Sequence, residues 1–165
     1  MSILKIRKFN DKVLRKGAVS VEEIDDEIKK LISDMAETMV TNNGIGLAAP
    51  QVGISKRVIV AQADLKDQSV FSLINPKIIK KSKEKIKVEE GCLSFPNIYI
   101  EITRPKEIEV EALNINGKKV NLKIGGLLAR VIQHEIDHLD GIVFMNRLDF
   151  IEKLKFKFKN FSLKL

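Results

Sequence analysis

The sequence predicts an α+β fold: a single domain over residues 1–165, with an N-terminal helix and antiparallel or mixed β-sheets wrapped around a central helix. Apolar residues recur with helical spacing near the N-terminus and again after Gly126, whereas strand-like segments occupy the middle of the chain. The length of 165 residues and the 44% hydrophobic composition suit one domain with one core.

The first helix is predicted from about Val21 to Thr41. Ser20 begins the segment SVEE, which fits a capping box completed by Glu23. Apolar residues then follow with helical spacing at Ile24, Ile28, Leu31, Ile32, Met35 and Met39. The segment NNG, residues 42–44, provides a stop because glycine readily ends a helix.

Strands are predicted in the middle of the chain. RVIVAQA, residues 57–63, is rich in residues that favour strands. EIEVEAL, residues 107–113, alternates apolar and acidic residues. The dipeptide Asn116-Gly117 separates it from KKVNLKI, residues 118–124, which predicts a β-hairpin.

Two lysine-rich segments supply much of the formal net charge of +7. The first, Lys77 to Lys87, alternates in part and is predicted to be a solvated strand. The second, residues 152–165, belongs to a C-terminal region that fits a helix through Leu148, Ile151, Leu154 and Phe158, or a strand at KFKFK. The charge is explained by solubilisation or by contact with a polyanion such as RNA. The aromatic content of 5%, without Trp, does not suggest a base-stacking surface.

The single cysteine, Cys92, cannot form an intramolecular disulfide and favours a reducing, cytoplasmic setting. The N-terminal segment MSILKIRKF has charge but no apolar h-region, so no secretory signal is expected. No uninterrupted apolar run approaches the length of a membrane span, so no membrane association is expected.

The segment GLLARVIQHEIDHLDG, residues 126–141, is predicted to be the central helix. On a helical wheel one face carries Leu127, Val131, His134 and His138, extended by Leu128, Ile132 and Leu139. The opposite face carries Arg130, Gln133, Asp137 and Asp140. Glu135 falls within the apolar arc, where an unpaired carboxylate is costly.

His134 and His138 are the only two histidines, and their spacing of four residues lets both imidazoles reach one ion. With Glu135 between them, they fit the HExxH pattern of two metal ligands and a carboxylate beside a bound water. Alternatively, each histidine is a core residue whose polar atoms are hydrogen-bonded within the protein. A catalytic metal usually has three protein ligands. Cys92 is a candidate for the third because thiolates bind borderline divalent metals well, although free cysteines are also often plain buried residues.

Three motifs together resemble the signatures of the bacterial peptide deformylase family. They are GIGLAAPQ at residues 44–51, EGCLS at residues 90–94 and QHEIDHLDG at residues 133–141. The resemblance covers nearly the whole chain. It implies hydrolysis of the N-formyl group from formyl-methionine at the start of nascent polypeptides, with release of formate.

The resemblance also implies a metal centre. Cys92, His134 and His138 would bind one divalent ion, Fe²⁺ first, with Zn²⁺, Ni²⁺ or Co²⁺ as alternatives and a water as the fourth ligand. Glu135 would act as the general base and then as the general acid. This role suits a carboxyl group whose pKa is tuned by burial.

The remaining implied residues handle the substrate. Gln51 and the backbone N–H of Leu93 would stabilise the oxyanion, and Gly46 would lie along the substrate-binding edge. An apolar pocket for the methionine side chain is expected from Ile45, Leu128 and Val131, which could equally be plain core residues. The sequence departs from many relatives at Asn97 and Tyr99, where they carry Gly or Glu and then Arg.

Two other functions stay open at this point. One is an HExxH metallopeptidase that cleaves internal peptide bonds, and the other is a noncatalytic, ribosome-associated protein with a structural metal. Zincin-type peptidases usually take the third ligand downstream of the histidine pair, whereas Cys92 lies upstream. Structural sites are usually closed by four protein ligands. The basic C-terminal segment is the predicted ribosome contact, and no sequence-specific nucleic acid binding is expected.

Overall fold

The computed structural model describes residues 2–62, residues 69–148 and Lys153. Within these residues the α-helices are α1 (Asp26–Thr41) and α2 (Gly126–Leu139). The strands are β1 (Gly46–Ala48), β2 (Val58–Gln62), β3 (Val70–Lys81), β4 (Lys85–Cys92), β5 (Phe95–Pro105), β6 (Glu107–Leu113) and β7 (Lys119–Gly125). The α+β class with a central helix is confirmed, while a single domain over all 165 residues stays a prediction.

The described strands form two sheets. The larger has the order β1-β2-β3-β6-β7, and every neighbouring pair in it is antiparallel. The smaller is the β4–β5 hairpin. The prediction of one solvated strand over Lys77 to Lys87 is wrong, because this segment leaves the large sheet and enters the small one. The backbone N–H of Ser82 bonds the Glu107 carbonyl, and its hydroxyl bonds the Glu84 carbonyl, which fixes the turn.

The β6–β7 hairpin forms where the sequence predicts it. Gly117 has a φ of +75°, which glycine adopts without strain. The side chain of Asn114 accepts hydrogen bonds from the backbone N–H groups of Asn116 and Lys118. The alternation of β6 buries Ile108, Val110 and Ala112 and leaves glutamates toward solvent.

Helix α1 begins later than predicted. Its N-cap is Asp25, whose carboxylate accepts a hydrogen bond from the Ile28 backbone N–H at 2.8 Å. The predicted capping box at Ser20 is wrong because the next residue, Val21, is held in place by a distant amide. Asn75 accepts from the Val21 N–H at 2.9 Å and donates to its carbonyl at 2.8 Å. The predicted end at Thr41 is confirmed.

Helix α2 is buried on all sides from Ala129 to Leu139. The side of the helix that carries Arg130, Gln133 and Asp137 is therefore buried too, because the β4–β5 hairpin covers it. Asp140, on the same side, is exposed. Leu127, predicted to be on the apolar face, is 49% exposed.

The described ranges contain no helix that is long and apolar enough to cross a membrane. The choice between helix and strand for the C-terminal segment falls on residues 149–152 and 154–165, which lie outside the described residues.

Candidate active site

The sole cysteine and both histidines come together where β4 ends beside α2. Their ligand atoms all lie within 4.8 Å of one another. Cys92 Sγ and His138 Nε2 are 3.2 Å apart, and the two imidazole rings have centroids 5.0 Å apart. Because Zn–S and Zn–N bonds are about 2.3 and 2.1 Å long, atoms at this separation can share one ion. The donor set therefore fits a divalent metal.

The two histidines of this cluster differ in their affinity for a proton. Burial alone would lower the pKa of His134, but hydrogen bonds with Cys92 and Glu90 raise it well above its ordinary value. Burial and the nearby charges of His134 and Arg104 lower the pKa of His138 well below its ordinary value. This favours the neutral imidazole, which is the form that binds a metal ion.

Glu90 fixes the orientation of the His134 ring by a hydrogen bond to the nitrogen that faces away from the ligand cluster. Its Oε2 lies 2.9 Å from His134 Nδ1, so the Nε2 atom of that ring is left for the cluster. Arg104 binds both Glu90 oxygens at 2.6 and 3.0 Å, and Arg130 binds Oε1 at 2.6 Å. Burial alone would raise the pKa of Glu90, but hydrogen bonds from His134 and Arg104 hold it at about 2.

The network continues along α2 through Asp137. Arg104 Nη1 donates to Asp137 Oδ2 at 2.8 Å, and Arg147 binds both oxygens of the same carboxylate. Sequence reasoning missed Glu90, Arg104 and Asp137 as parts of the site. One signal was present: Arg104 continues the inward-facing positions of β5, Ile98, Ile100 and Ile102, and its side chain is only 4% exposed.

Glu135 is buried beside the Cys92, His134 and His138 cluster, and its exposed fraction is 4%. Its Oε2 has no hydrogen-bond partner among the described residues. Burial raises the pKa of Glu135 to about 7. Gly46 faces this carboxylate so closely that a Cβ there would lie 2.5 Å from Oε1. A buried carboxyl group with a free oxygen and a pKa near neutrality suits proton transfer.

Gln51 is held with its amide nitrogen toward Cys92. Its Oε1 accepts a hydrogen bond from the Ala48 backbone N–H at 2.8 Å, which fixes the orientation of the amide. The Nε2 atom then lies 3.5 Å from Cys92 Sγ and 3.3 Å from Ser94 Oγ. Gln51 is thus a neutral, preorganised donor at the cluster.

A cleft of about 510 Å³ opens onto these groups. Among the residues expected to meet the substrate, it is lined by Ile45, Gly46, Leu93 and Val131, and also by Asn97 and Tyr99. Leu128 is not among the lining residues. It packs on the core cluster beneath the large sheet, and its half-exposed neighbour Leu127 lines the cleft instead.

The N-terminal segment ties two of the sequence motifs together, a role that sequence reasoning missed. The backbone N–H of Arg7 donates to the Gln51 carbonyl at 2.7 Å, and that of Phe9 donates to the Ser94 carbonyl at 3.1 Å. Lys8 Nζ donates to the Leu93 carbonyl at 3.1 Å. These contacts hold the Gln51 loop and the Cys92 turn in register.

Comparison with known proteins gives a consistent result. The family model described as Polypeptide deformylase matches residues 3–154. The peptide deformylase of Natranaerobius thermophilus is 48% identical over 149 residues, covering 90% of this chain and 94% of the relative. The crystal structure of peptide deformylase from Thermus thermophilus superposes with a TM-score of 0.91 at 41% identity, covering 97% of this chain and 94% of that chain. The Ehrlichia chaffeensis peptide deformylase, solved in complex with actinonin, superposes with a TM-score of 0.87 at 42% identity, covering 97% and 99%. The chain therefore belongs to the polypeptide deformylase family.

Proposed function

We propose that this chain hydrolyses the N-formyl group of formyl-methionine at the start of nascent polypeptides and releases formate. The observation that carries the proposal is that one cleft is lined by Cys92, His134 and the buried carboxylate of Glu135, while the buried His138 completes the ligand cluster beside them. The names of the relatives and the actinonin complex of the Ehrlichia relative support the same activity.

We assign one divalent metal ion to Cys92, His134 and His138, with Fe²⁺ preferred and Zn²⁺, Ni²⁺ or Co²⁺ as alternatives. When bound, such an ion supplies polarisation of the formyl carbonyl and a more acidic water at neutral pH. A thiolate with two imidazoles suits borderline divalent metals. Elemental analysis of protein purified without oxygen identifies the ion, and a preparation with zinc as the dominant metal would contradict the preference for iron.

Glu135 moves the proton in this mechanism. It accepts a proton from the water that attacks the formyl carbon, and it returns that proton to the amine nitrogen as the C–N bond breaks. The products are formate and a peptide with a free N-terminal amine. Because the pKa of Glu135 is about 7, this carboxyl group can both accept a proton and donate it again near neutral pH.

Gln51 and the backbone N–H of Leu93 stabilise the oxyanion that forms on the formyl oxygen. Gln51 keeps its Nε2 directed toward the cluster through its bond to Ala48, so little reorganisation is needed during the reaction. Removal of one such donor typically lowers the rate by about 10²–10³.

The peptide backbone of the substrate is proposed to lie along β1. This strand forms one edge of the large sheet, and Gly46 lines the cleft there, so an extended peptide can approach closely. The methionine side chain would pack against Ile45, Val131 and Leu127, which supply apolar walls beside Glu135.

Formate release from a formyl-Met dipeptide tests this proposal, with Glu135→Gln assayed beside the parent enzyme at equal metal content. We expect activity in the parent and a loss of at least about 10² in the variant, because proton transfer by a positioned group contributes roughly that much. Equal activity in both proteins would overturn the mechanism. Cleavage of internal peptide bonds without formate release would indicate a metallopeptidase instead.

We further propose that the protein works in the cytoplasm and contacts the ribosome through its basic segment at residues 152–165. The single unpaired cysteine and the charge of this segment support these two proposals. Truncation after Leu154 should weaken a salt-sensitive association with ribosomes. Unchanged association in a co-sedimentation assay would remove the ribosome contact.

A further inference from the structure

A second cleft, of about 320 Å³, lies behind α2 and shares no lining residue with the catalytic cleft. Ile136 and Asp137 face this rear cleft, whereas His134 and Glu135 face the catalytic one. The proposed deformylase mechanism assigns no chemical step to a group that lines the rear cleft, although Arg104 and Asp137 also belong to the hydrogen-bond network behind His134.

The rear cleft carries a marked excess of positive charge. Its cationic lining residues are Arg57, Lys77, Lys81, Arg104 and Arg147, and its acidic ones are Asp137 and Asp140. Five positive and two negative side chains leave a formal charge of +3. Concave surfaces lined mainly by one sign of charge concentrate the potential and attract ions of the opposite sign.

Both acids are already paired within the protein. Asp140 lies 2.8 Å from Arg57 Nη1, and Asp137 lies 2.8 Å from Arg104 Nη1 and also contacts Arg147. Since the two acids pair with the three arginines, two of the three units of excess charge belong to the two lysines.

Lys77 and Lys81 come from the lysine-rich end of β3. Their neighbour Lys80 is paired with Glu109 at 3.3 Å. Lys77 and Lys81 line the cleft and have no ion-pair partner among the residues that the structure describes. Two exposed ammonium groups at one concave site, without a counter-ion from the protein, leave room for an anion.

We propose that the rear cleft binds a phosphate group, either as inorganic phosphate or as a phosphomonoester. A phosphate offers several acceptor oxygens and up to two negative charges, which suits two ammonium groups next to the arginine side chains. The hydroxyl of Thr103, also in the lining, is a further donor. The described lining contains no aromatic residue on which a base could stack, which favours a small phosphate over single-stranded RNA.

The proposal is tested by titrating the metal-loaded enzyme with inorganic phosphate at constant ionic strength, using calorimetry. The variants are Lys77→Gln, Lys81→Gln and the double substitution. Lys83→Gln is the matched control, because Lys83 belongs to the same lysine-rich segment and does not line the cleft. We expect the affinity to fall about fivefold for each lysine removed, the effect of one unit charge at about 4 Å in water, and to stay unchanged in the control.

All three positions are exposed, so the variants should fold, and equal unfolding midpoints in chloride buffer verify this. Phosphate held at the catalytic metal would bind all variants equally and would overturn the proposal. An equal loss in Lys83→Gln would also overturn it, since binding would then follow net charge alone. A parallel titration with an oligouridylate distinguishes a phosphate site from an RNA-binding surface: lysine-dependent binding of RNA without binding of inorganic phosphate would contradict a small-anion site.

Discussion

Substitution of Gly46 by alanine should separate catalysis from folding. A Cβ at this position would lie 2.5 Å from Glu135 Oε1 and 2.7 Å from Val131 Cγ1. To reach an ordinary contact of 3.4 Å, the carboxylate oxygen must retreat by about 0.9 Å. The atom that moves first is the end of a flexible side chain, so the strain falls mainly on the proposed proton-transfer group.

The expected magnitudes follow from this geometry. A misplacement of about 1 Å at a reacting group can cost about 10² in rate, so kcat/KM for formate release should fall by about that factor. Overpacking of a buried site typically costs about 1–3 kcal/mol in the free energy of unfolding. Metal content should not change, because the three atoms nearest to the added Cβ belong to Glu135 and Val131 and not to a proposed ligand.

Steady-state assays on a formyl-Met peptide and urea denaturation measure these two quantities. Gly17→Ala is the control, because a Cβ there meets no atom within 4 Å. If Gly46→Ala kept kcat/KM within threefold of the parent at equal metal content, the reasoning from Glu135 would be refuted.

Three further predictions concern a proposed metal ligand and two charged side chains. Cys92→Ser should lower metal content strongly while the unfolding free energy of the chelated protein changes by about 1 kcal/mol or less; full occupancy and full activity would contradict the assigned role. Arg104→Met should reduce the unfolding free energy by about 3–5 kcal/mol in urea, because it leaves the carboxylates of Glu90 and Asp137 buried with one partner fewer. Hydrogen bonds from Lys30 and the Ser2 backbone lower the pKa of Asp34 from 3.8 to about 2. Its stabilising contribution is therefore complete above the ordinary value and lost as the pH falls toward 2, and Asp34→Asn should flatten the stability profile over that range; an unchanged slope would rule this out.

The sequence predicts features that depend on local spacing. The two histidines lie four residues apart on one helix, so their proximity needs no knowledge of the rest of the fold. The β6–β7 hairpin is equally local, because the turn at Gly117 and the alternation of β6 are set within a few residues. The end of α1 at Thr41 follows from the NNG segment next to it.

Features that depend on distant partners were not predictable in the same way. Arg130 and Asp137 occupy the polar side of the helical wheel, and only the docked β4–β5 hairpin makes that side buried. Ser20 and Asp25 are both possible caps for the start of α1, and the amide of Asn75, 54 positions from Val21, decides between them. Leu127 lines the cleft in place of the expected Leu128, because the first turn of α2 is open to the cleft.

The placement of Cys92 on the small sheet has a consequence for local unfolding. The hairpin that carries it is hydrogen-bonded as a separate sheet, and Cys92 lies 46 residues from His138. Any ion held by both side chains closes that loop and cross-links the hairpin to the helix. Detachment of the hairpin then requires release of the ion, so occupancy raises the free energy of this opening in proportion to the logarithm of the free ion concentration. Amide hydrogen exchange in β4 and β5 should accordingly slow on metal loading, while exchange in β6 and β7 changes less.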